Sequence, residues 1–137
     1  MRALLVLAAA LCTVAACTPP PPVGLAADVP GTTWSVERVV GGDGQVRRGD
    51  GTEQVSFGPE GSLSLSSCNL CSGRYAVADS VLTIGPGLAC TRRACATGGL
   101  ELERYLEGTS VLRRDGAYLV IVPDSLAAQI LLVPAEL

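Results

Sequence analysis

From Thr32 onward, apolar and polar residues alternate in short runs separated by glycine, proline, aspartate and serine. Short alternating runs bounded by turn residues are the signature of an all-β domain. "SLSLS" is the cleanest of them. Leu63 and Leu65 face one way, and Ser62, Ser64 and Ser66 the other, which is the two-residue period of a pleated strand. "EQVSF" places Val55 and Phe57 on one face, and "GRYAV" does the same for Tyr75 and Val77. "SVLTI" follows a turn at Ala78-Asp79 and ends at Gly85-Pro86-Gly87. "TTWSVERVV", Thr32 to Val40, is rich in β-branched residues. Its alternation is imperfect, with Trp34, Val36 and Arg38 sharing one face. Asp115-Gly116, between "TSVLRR" and "AYLVIV", predicts a hairpin with a type I′ turn. "AAQILLVP" predicts a last strand.

One segment departs from this period. "GGLELERYLEG" sets Leu102, Tyr105 and Leu106 at helical spacing, with Gly108 as a stop, and predicts one short helix over Leu100 to Glu107. Glu101, Glu103 and Glu107 are expected on its solvated face. "GGDGQVRRGDG", Gly41 to Gly51, reads as a polar, mobile surface loop. The expected fold is mainly β, a small antiparallel barrel of about eight strands with one short helix, since closure removes open edges.

The N-terminus has a different character. Arg2 precedes an apolar run from Ala3 to Ala16, short of the roughly 20 residues a membrane-spanning helix needs. A basic start, a short apolar core and small residues at its end read as an export signal. "VAAC" resembles a bacterial lipobox, with Val14, Ala15 and Ala16 ahead of Cys17. The resemblance implies cleavage after residue 16, a diacylglyceryl group on the Cys17 sulfur and a fatty-acyl chain such as palmitate on its amine. "TPPPPVGLAAD" follows, and consecutive prolines hold an extended spacer. More than one acyl chain makes the attachment stable. Thr18 rather than aspartate after the cysteine implies the outer membrane if the cell is Gram-negative. The expected organisation is a signal over 1–16, a lipidated cysteine and Pro-rich linker over 17–28, and one domain over 29–137.

Composition narrows the chemistry. The net charge is −3 and histidine is absent, which removes the commonest general base and metal ligand at neutral pH. No basic patch is offered to nucleic acid or anionic lipid. "RGD" at Arg48 to Asp50 is a short match to an adhesion motif with little specificity. No catalytic residue, cofactor or metal is expected, and the domain is expected to be a monomer held at a membrane by its lipid.

Four cysteines remain in the body, in "SCNLCSGRYAV" and "ACTRRAC". They can grip a metal, shuttle electrons or staple a small fold, and an exported location favours disulfides. A tetrathiolate zinc site fits by count alone. A CxxC redox centre normally opens a helix, whereas Cys68 and Cys71 lie between two predicted strands.

"CNLCSGRY" fits the Cys-Asn-x-x-x-Gly-x-Tyr motif of a known family at Cys68, Asn69, Gly73 and Tyr75. "TRRAC" fits its Thr-Arg-Met-Ala-Cys motif at Thr91, Arg92, Ala94 and Cys95. From Gly31 to about Val122 the chain resembles the META domain (HslJ-like) family of bacterial envelope and secreted proteins. It departs at Ser67, where glycine is usual, and at Arg93, where methionine is usual. Cys71 and Cys90 are additions. The resemblance implies a small barrel with a helix opening on a glutamate, Glu101 or Glu103 here. It implies little chemistry, and only a loose association with stress tolerance, envelope integrity or virulence. Because Cys68 and Cys95 match the motifs and the two additions form a second set, nested pairs follow: Cys68–Cys95 and Cys71–Cys90. The outer pair closes a loop of about 28 residues, worth about 3.5 kcal/mol on the chain-entropy model. Asn69 is expected to satisfy backbone groups or take a left-handed turn. Arg92 and Arg93 form an exposed charge pair that can meet a partner. The functional expectation is a non-enzymatic envelope lipoprotein acting in stress tolerance or protein binding. The alternatives are an inhibitor of a lysozyme or protease and a carrier of one apolar ligand inside the barrel.

Overall fold

The computed structural model describes residues 24–136. The expected signal, Cys17 and the proline run lie outside the described residues. The stretch expected as linker gives way at Leu25 to a helical turn, α1 (Leu25–Asp28), which buries Ala26. Leu25 and Val29 pack against the core.

Alternation carries through into the strands. β1 (Thr32–Gly41), β2 (Val46–Arg48), β3 (Gln54–Phe57), β4 (Ser62–Ser66) and β5 (Leu70–Ala78) come first. β6 (Val81–Ile84), β7 (Ala89–Cys90), the helix α2 (Leu102–Leu106), β8 (Gly108–Asp115), β9 (Tyr118–Pro123) and β10 (Ala128–Pro134) follow. β4 buries Leu63 and Leu65 and exposes Ser62 and Ser64. All pairings are antiparallel, in the order β10-β9-β8-β6-β5-β4-β3-β1, and β10 pairs with β1 to close an eight-stranded barrel. Two further strands extend it. β2 lies beside the second half of β1, and β7 beside the first half of β5.

Three expectations need correction. Arg38 does not share the face of Trp34 and Val36. The β1–β10 register shifts between Val36 and Arg38, and such a bulge reverses the faces beyond it. Val39 therefore joins the core, while the Arg38 guanidinium lies 5.5 Å from the Tyr118 ring centre. The Gly41–Gly51 stretch is not all loop, because it contains β2. The final hairpin turns on Gly116-Ala117, since Asp115 pairs with Tyr118. Among the residues of that turn only Gly116 has positive φ, at 58°. Type I′ requires it at both central positions, so the turn has the type II′ glycine pattern.

The interior is filled by side chains. Val55, Phe57, Leu65, Leu82, Ile84, Leu112, Leu119, Ile121, Ile130 and Leu132 are each 0–1% exposed. The helix is shorter than its expected span. Leu102 and Leu106, four residues apart on one face, are fully buried at one end of the barrel. Tyr75 sits inside on β5, its ring edge-on to Phe57 with centroids 5.0 Å apart. Its hydroxyl donates to the Gly58 carbonyl at 2.6 Å.

Burial pushes the Tyr75 phenol above its ordinary value. A folded-state value raised above the unfolded one stabilises fully below about pH 10 and loses that contribution as pH rises further. Tyr75→Phe is expected to cost about 1 kcal/mol at neutral pH through the lost hydrogen bond. It should also flatten the decline above about pH 10. Urea denaturation of both proteins at the two pH values measures this; an unchanged alkaline slope would assign the decline to other groups.

Candidate functional site

After β7 the chain crosses one end of the barrel without regular structure until α2. Residues Thr91 to Ala94 are all exposed. A segment of this kind has no ladder to hold it, and two disulfides do so instead. Cys71 and Cys90 are register partners on β5 and β7, bridged with Cα atoms 4.1 Å apart. The Thr91 amide donates to the Leu70 carbonyl at 2.9 Å. That bond flanks the cysteines and makes them a non-hydrogen-bonded pair, the closer kind in an antiparallel ladder. Cys68 and Cys95 form the second bridge, with Cα atoms 5.5 Å apart. Sulfurs joined in this way offer no thiolate to a metal while they remain oxidised.

Asn69 is the polar centre of this lid and is 6% exposed. Its carbonyl oxygen accepts from the Arg93 amide at 2.8 Å and from the Thr91 hydroxyl at 3.1 Å. The same Thr91 oxygen accepts from the Leu70 amide at 3.0 Å. The Asn69 amide nitrogen points the other way, 3.5 Å from Oε1 of Glu103 and 3.8 Å from the Cys95 sulfur. One side chain thus links the β4–β5 turn, the lid and α2. Asn69 is not left-handed, since Asp79 is the one non-glycine residue with positive φ among the described residues. Gly73 belongs here through shape. A β-carbon on it would lie 2.5 Å from Cδ2 of Leu88, so the missing side chain is where the start of the lid packs. Arg92 and Arg93 are exposed, as the sequence led one to expect. Tyr75 belongs to the core rather than to this cluster.

Glu103 is the residue that sequence reasoning misplaced. It was expected on a solvated face with Glu101 and Glu107. Its oxygen Oε2 is instead buried and accepts no hydrogen bond among the described residues. A carboxylate oxygen of Glu103 and the sulfurs of Cys71 and Cys90 lie within 4.8 Å of one another. Of its neighbours, Glu101 pairs with Arg104 at 3.0 Å and Glu107 is exposed. Glu53 is likewise buried at 6% exposure, its Oε2 accepting from the Asp50 amide at 2.8 Å. Only adjacency to Leu102, or the glutamate in the family's helix, marked Glu103 beforehand.

The clefts elsewhere open on the surface. One of about 540 Å³ lies by Trp34 and Arg114, where the guanidinium stacks 5.1 Å from the indole centre. Another, about 510 Å³, is lined by Leu70, Cys71, Ala89, Cys90 and Thr91. "RGD" is tied into the sheet: the Gly49 amide donates to the Glu37 carbonyl at 3.0 Å, and Arg48 pairs with Glu37 at 3.6 Å. The Thr52 hydroxyl and amide hold the exposed Asp50 carboxyl below its ordinary value.

Asn69→Ala leaves the Arg93 amide and Thr91 hydroxyl without their acceptor. It is expected to destabilise the oxidised domain by about 1–3 kcal/mol. Arg92→Ala, at an exposed position, should stay within about 0.5 kcal/mol of the parent. Chemical denaturation with both disulfides intact compares them.

A family model for the META domain matches residues 27–121. The NMR structure of the protein from Burkholderia xenovorans superposes with a TM-score of 0.64 and 22% sequence identity. That likeness covers 88% of this chain and 94% of the other, and at such identity it speaks for the fold alone. No curated protein sequence matches the chain. With the motif residues other than Tyr75 gathered at one lid, and most of the chain covered by the family model, the protein belongs to the META domain family.

Proposed function

We propose that the protein is a non-enzymatic cell-envelope lipoprotein that acts through its outer surface, in envelope stress tolerance or by binding another envelope protein. The observation that carries this reading is the lid. Two disulfides fix a short exposed segment over a barrel already filled by its own side chains. Disulfides of this kind indicate an oxidising, extracytoplasmic compartment. No helix among the described residues is long and apolar enough to cross a membrane. "VAAC" supports attachment through lipid on Cys17, with the domain as a monomer in the periplasm or outside the cell.

A second reading is an inhibitor-like module that docks through Arg92 and Arg93. It is favoured by their exposure on a segment bridged at Cys90 and at Cys95. A pinned loop loses little further freedom when it binds. The carrier reading draws no support from a barrel interior that its own core occupies.

Cys17→Ala should move the protein from the membrane fraction to the soluble fraction, and membrane-extracted parent protein should carry the mass of the acyl groups. A chain that stays membrane-bound after this substitution, or that carries no lipid, would sink the lipoprotein reading. Deletion of the protein should lower survival under detergent challenge, with restoration by the parent. Restoration that fails for Arg92→Ala combined with Arg93→Ala would favour the docking reading.

A further inference from the structure

We propose that Cys71, Cys90 and Glu103 form a redox-gated site for a thiophilic divalent cation, closed while the disulfide stands and opened by its reduction. The inference goes beyond envelope attachment and does not depend on it.

Four observations carry it. The two sulfurs and a Glu103 carboxylate oxygen lie within 4.8 Å of one another. An ion held at about 2.3 Å from sulfur and 2.0–2.2 Å from oxygen needs the two sulfurs, once reduced, to part to roughly 3.8 Å and the carboxylate oxygen to approach them to roughly 3.5 Å, which side-chain rotation supplies. Oε2 of Glu103 is buried and accepts no hydrogen bond among the described residues. Burying such an atom without a partner is unfavourable, and a cation would supply the missing partner. The other oxygen, Oε1, is 3.5 Å from the Asn69 amide nitrogen, the kind of outer contact that orients a ligating carboxylate. Finally, the cleft of about 510 Å³ reaches Cys71 and Cys90 from the surface.

The fold keeps these ligands together once the bond opens. Cys68–Cys95 remains as a second bridge. Leu70 and Thr91 stay joined by the Thr91 amide, which donates to the Leu70 carbonyl at 2.9 Å, and by the Leu70 amide, which donates to the Thr91 hydroxyl at 3.0 Å. The chemistry balances with an external dithiol. The dithiol gives up two electrons and two protons and closes its own disulfide. Cys71 and Cys90 take up the electrons and protons as two thiols. The cation then displaces both protons to solvent and is held by two thiolates and one carboxylate.

The test uses the full chain in detergent without oxygen, reduced stepwise with a water-soluble phosphine, which takes its oxygen from water. Co²⁺ alone is the probe. One Co²⁺ per chain is expected to bind once Cys71 and Cys90 are reduced, with sulfur-to-cobalt charge-transfer absorption. Bound Co²⁺ should shield Cys71 and Cys90 from alkylation, leaving Cys68 and Cys95 bridged or labelled. Glu103→Gln, with its oxidised fold verified by circular dichroism, should weaken binding by more than the roughly 10–100-fold that loss of an outer-shell group costs. The proposal is overturned by reduction without Co²⁺ uptake, by shielding of all four cysteines, or by equal affinity in Glu103→Gln. Melting of the barrel on reduction of this bond overturns it too. The alkylation pattern of the parent decides the matter should the Gln variant fail to fold.

Discussion

Barrel closure, made by the pairing of β1 with β10, is the constraint on which the rest of the structure depends. β1 serves three neighbours, with β10 along one side and β3 then β2 along the other. A strand that must bend from one partner to the next needs a place to do so, and the irregularity between Val36 and Arg38 supplies it. With the ring shut, each of the eight barrel strands has a neighbour on both sides, which removes the open edges that would otherwise invite aggregation. The ring also creates a demand. Its interior must be filled by inward residues from a chain with one Trp, one Phe and three Tyr. Leucine, isoleucine and valine do most of this work, and α2 supplies Leu102 and Leu106 to finish one end.

That end is where the structure uses covalent bonds. Carrying the chain from β7 to α2 takes it across the barrel mouth through residues that pair with no strand. Secondary structure cannot fix such a crossing, and a small core leaves little stability to spare. The two disulfides act on the crossing directly, one in the ladder at Cys71–Cys90 and one beyond it at Cys68–Cys95. The second bond constrains a loop that the first has already shortened, so their entropic effects are not additive. What the inner bond adds is position: it sets Cys90 in register on β5 and brings Thr91 to Asn69. The polar cluster then fixes orientation as well as distance.

The strands were legible in the sequence because each is short and one-sided, so local alternation carries the information that tertiary packing uses. The places where reading failed are places where the deciding partner is distant in sequence. Arg38 is moved by the register that β1 keeps with β10, more than 90 residues on. The three residues of β2 carry no alternation of burial to announce them, all being exposed. In the hairpin, Asp115-Gly116 marked the turn, but cross-strand register decided that Gly116 comes first in it. For the candidate site, the motif residues were visible as a family resemblance, whereas Glu103 was hidden by composition. A glutamate among glutamates on a short helix reads as wet, and the groups set beside it, Asn69 and the sulfurs of Cys71 and Cys90, are distant in sequence.

The placement of the lid bears on how a tethered domain would work. The registers Thr32–Phe57 and Phe57–Leu63 mark one end of the barrel, beside α1. Ser35–Gln54 and Gln54–Ser66 lead toward the other, where the chain turns into Asn69. The N-terminal approach and the disulfide-bound lid therefore sit at opposite ends. A lipid on the proposed Cys17 anchor would attach at the α1 end. On that proposal the lid would face away from the lipid. Exposed Arg92 and Arg93 and the cleft lined in part by Cys71 and Cys90 share the lid's end of the barrel. Protein docking and reduction of the inner disulfide would compete for the same surface. A partner bound across Thr91 would cover the route to the sulfurs, and a reductant acting there would loosen the segment that the partner grips.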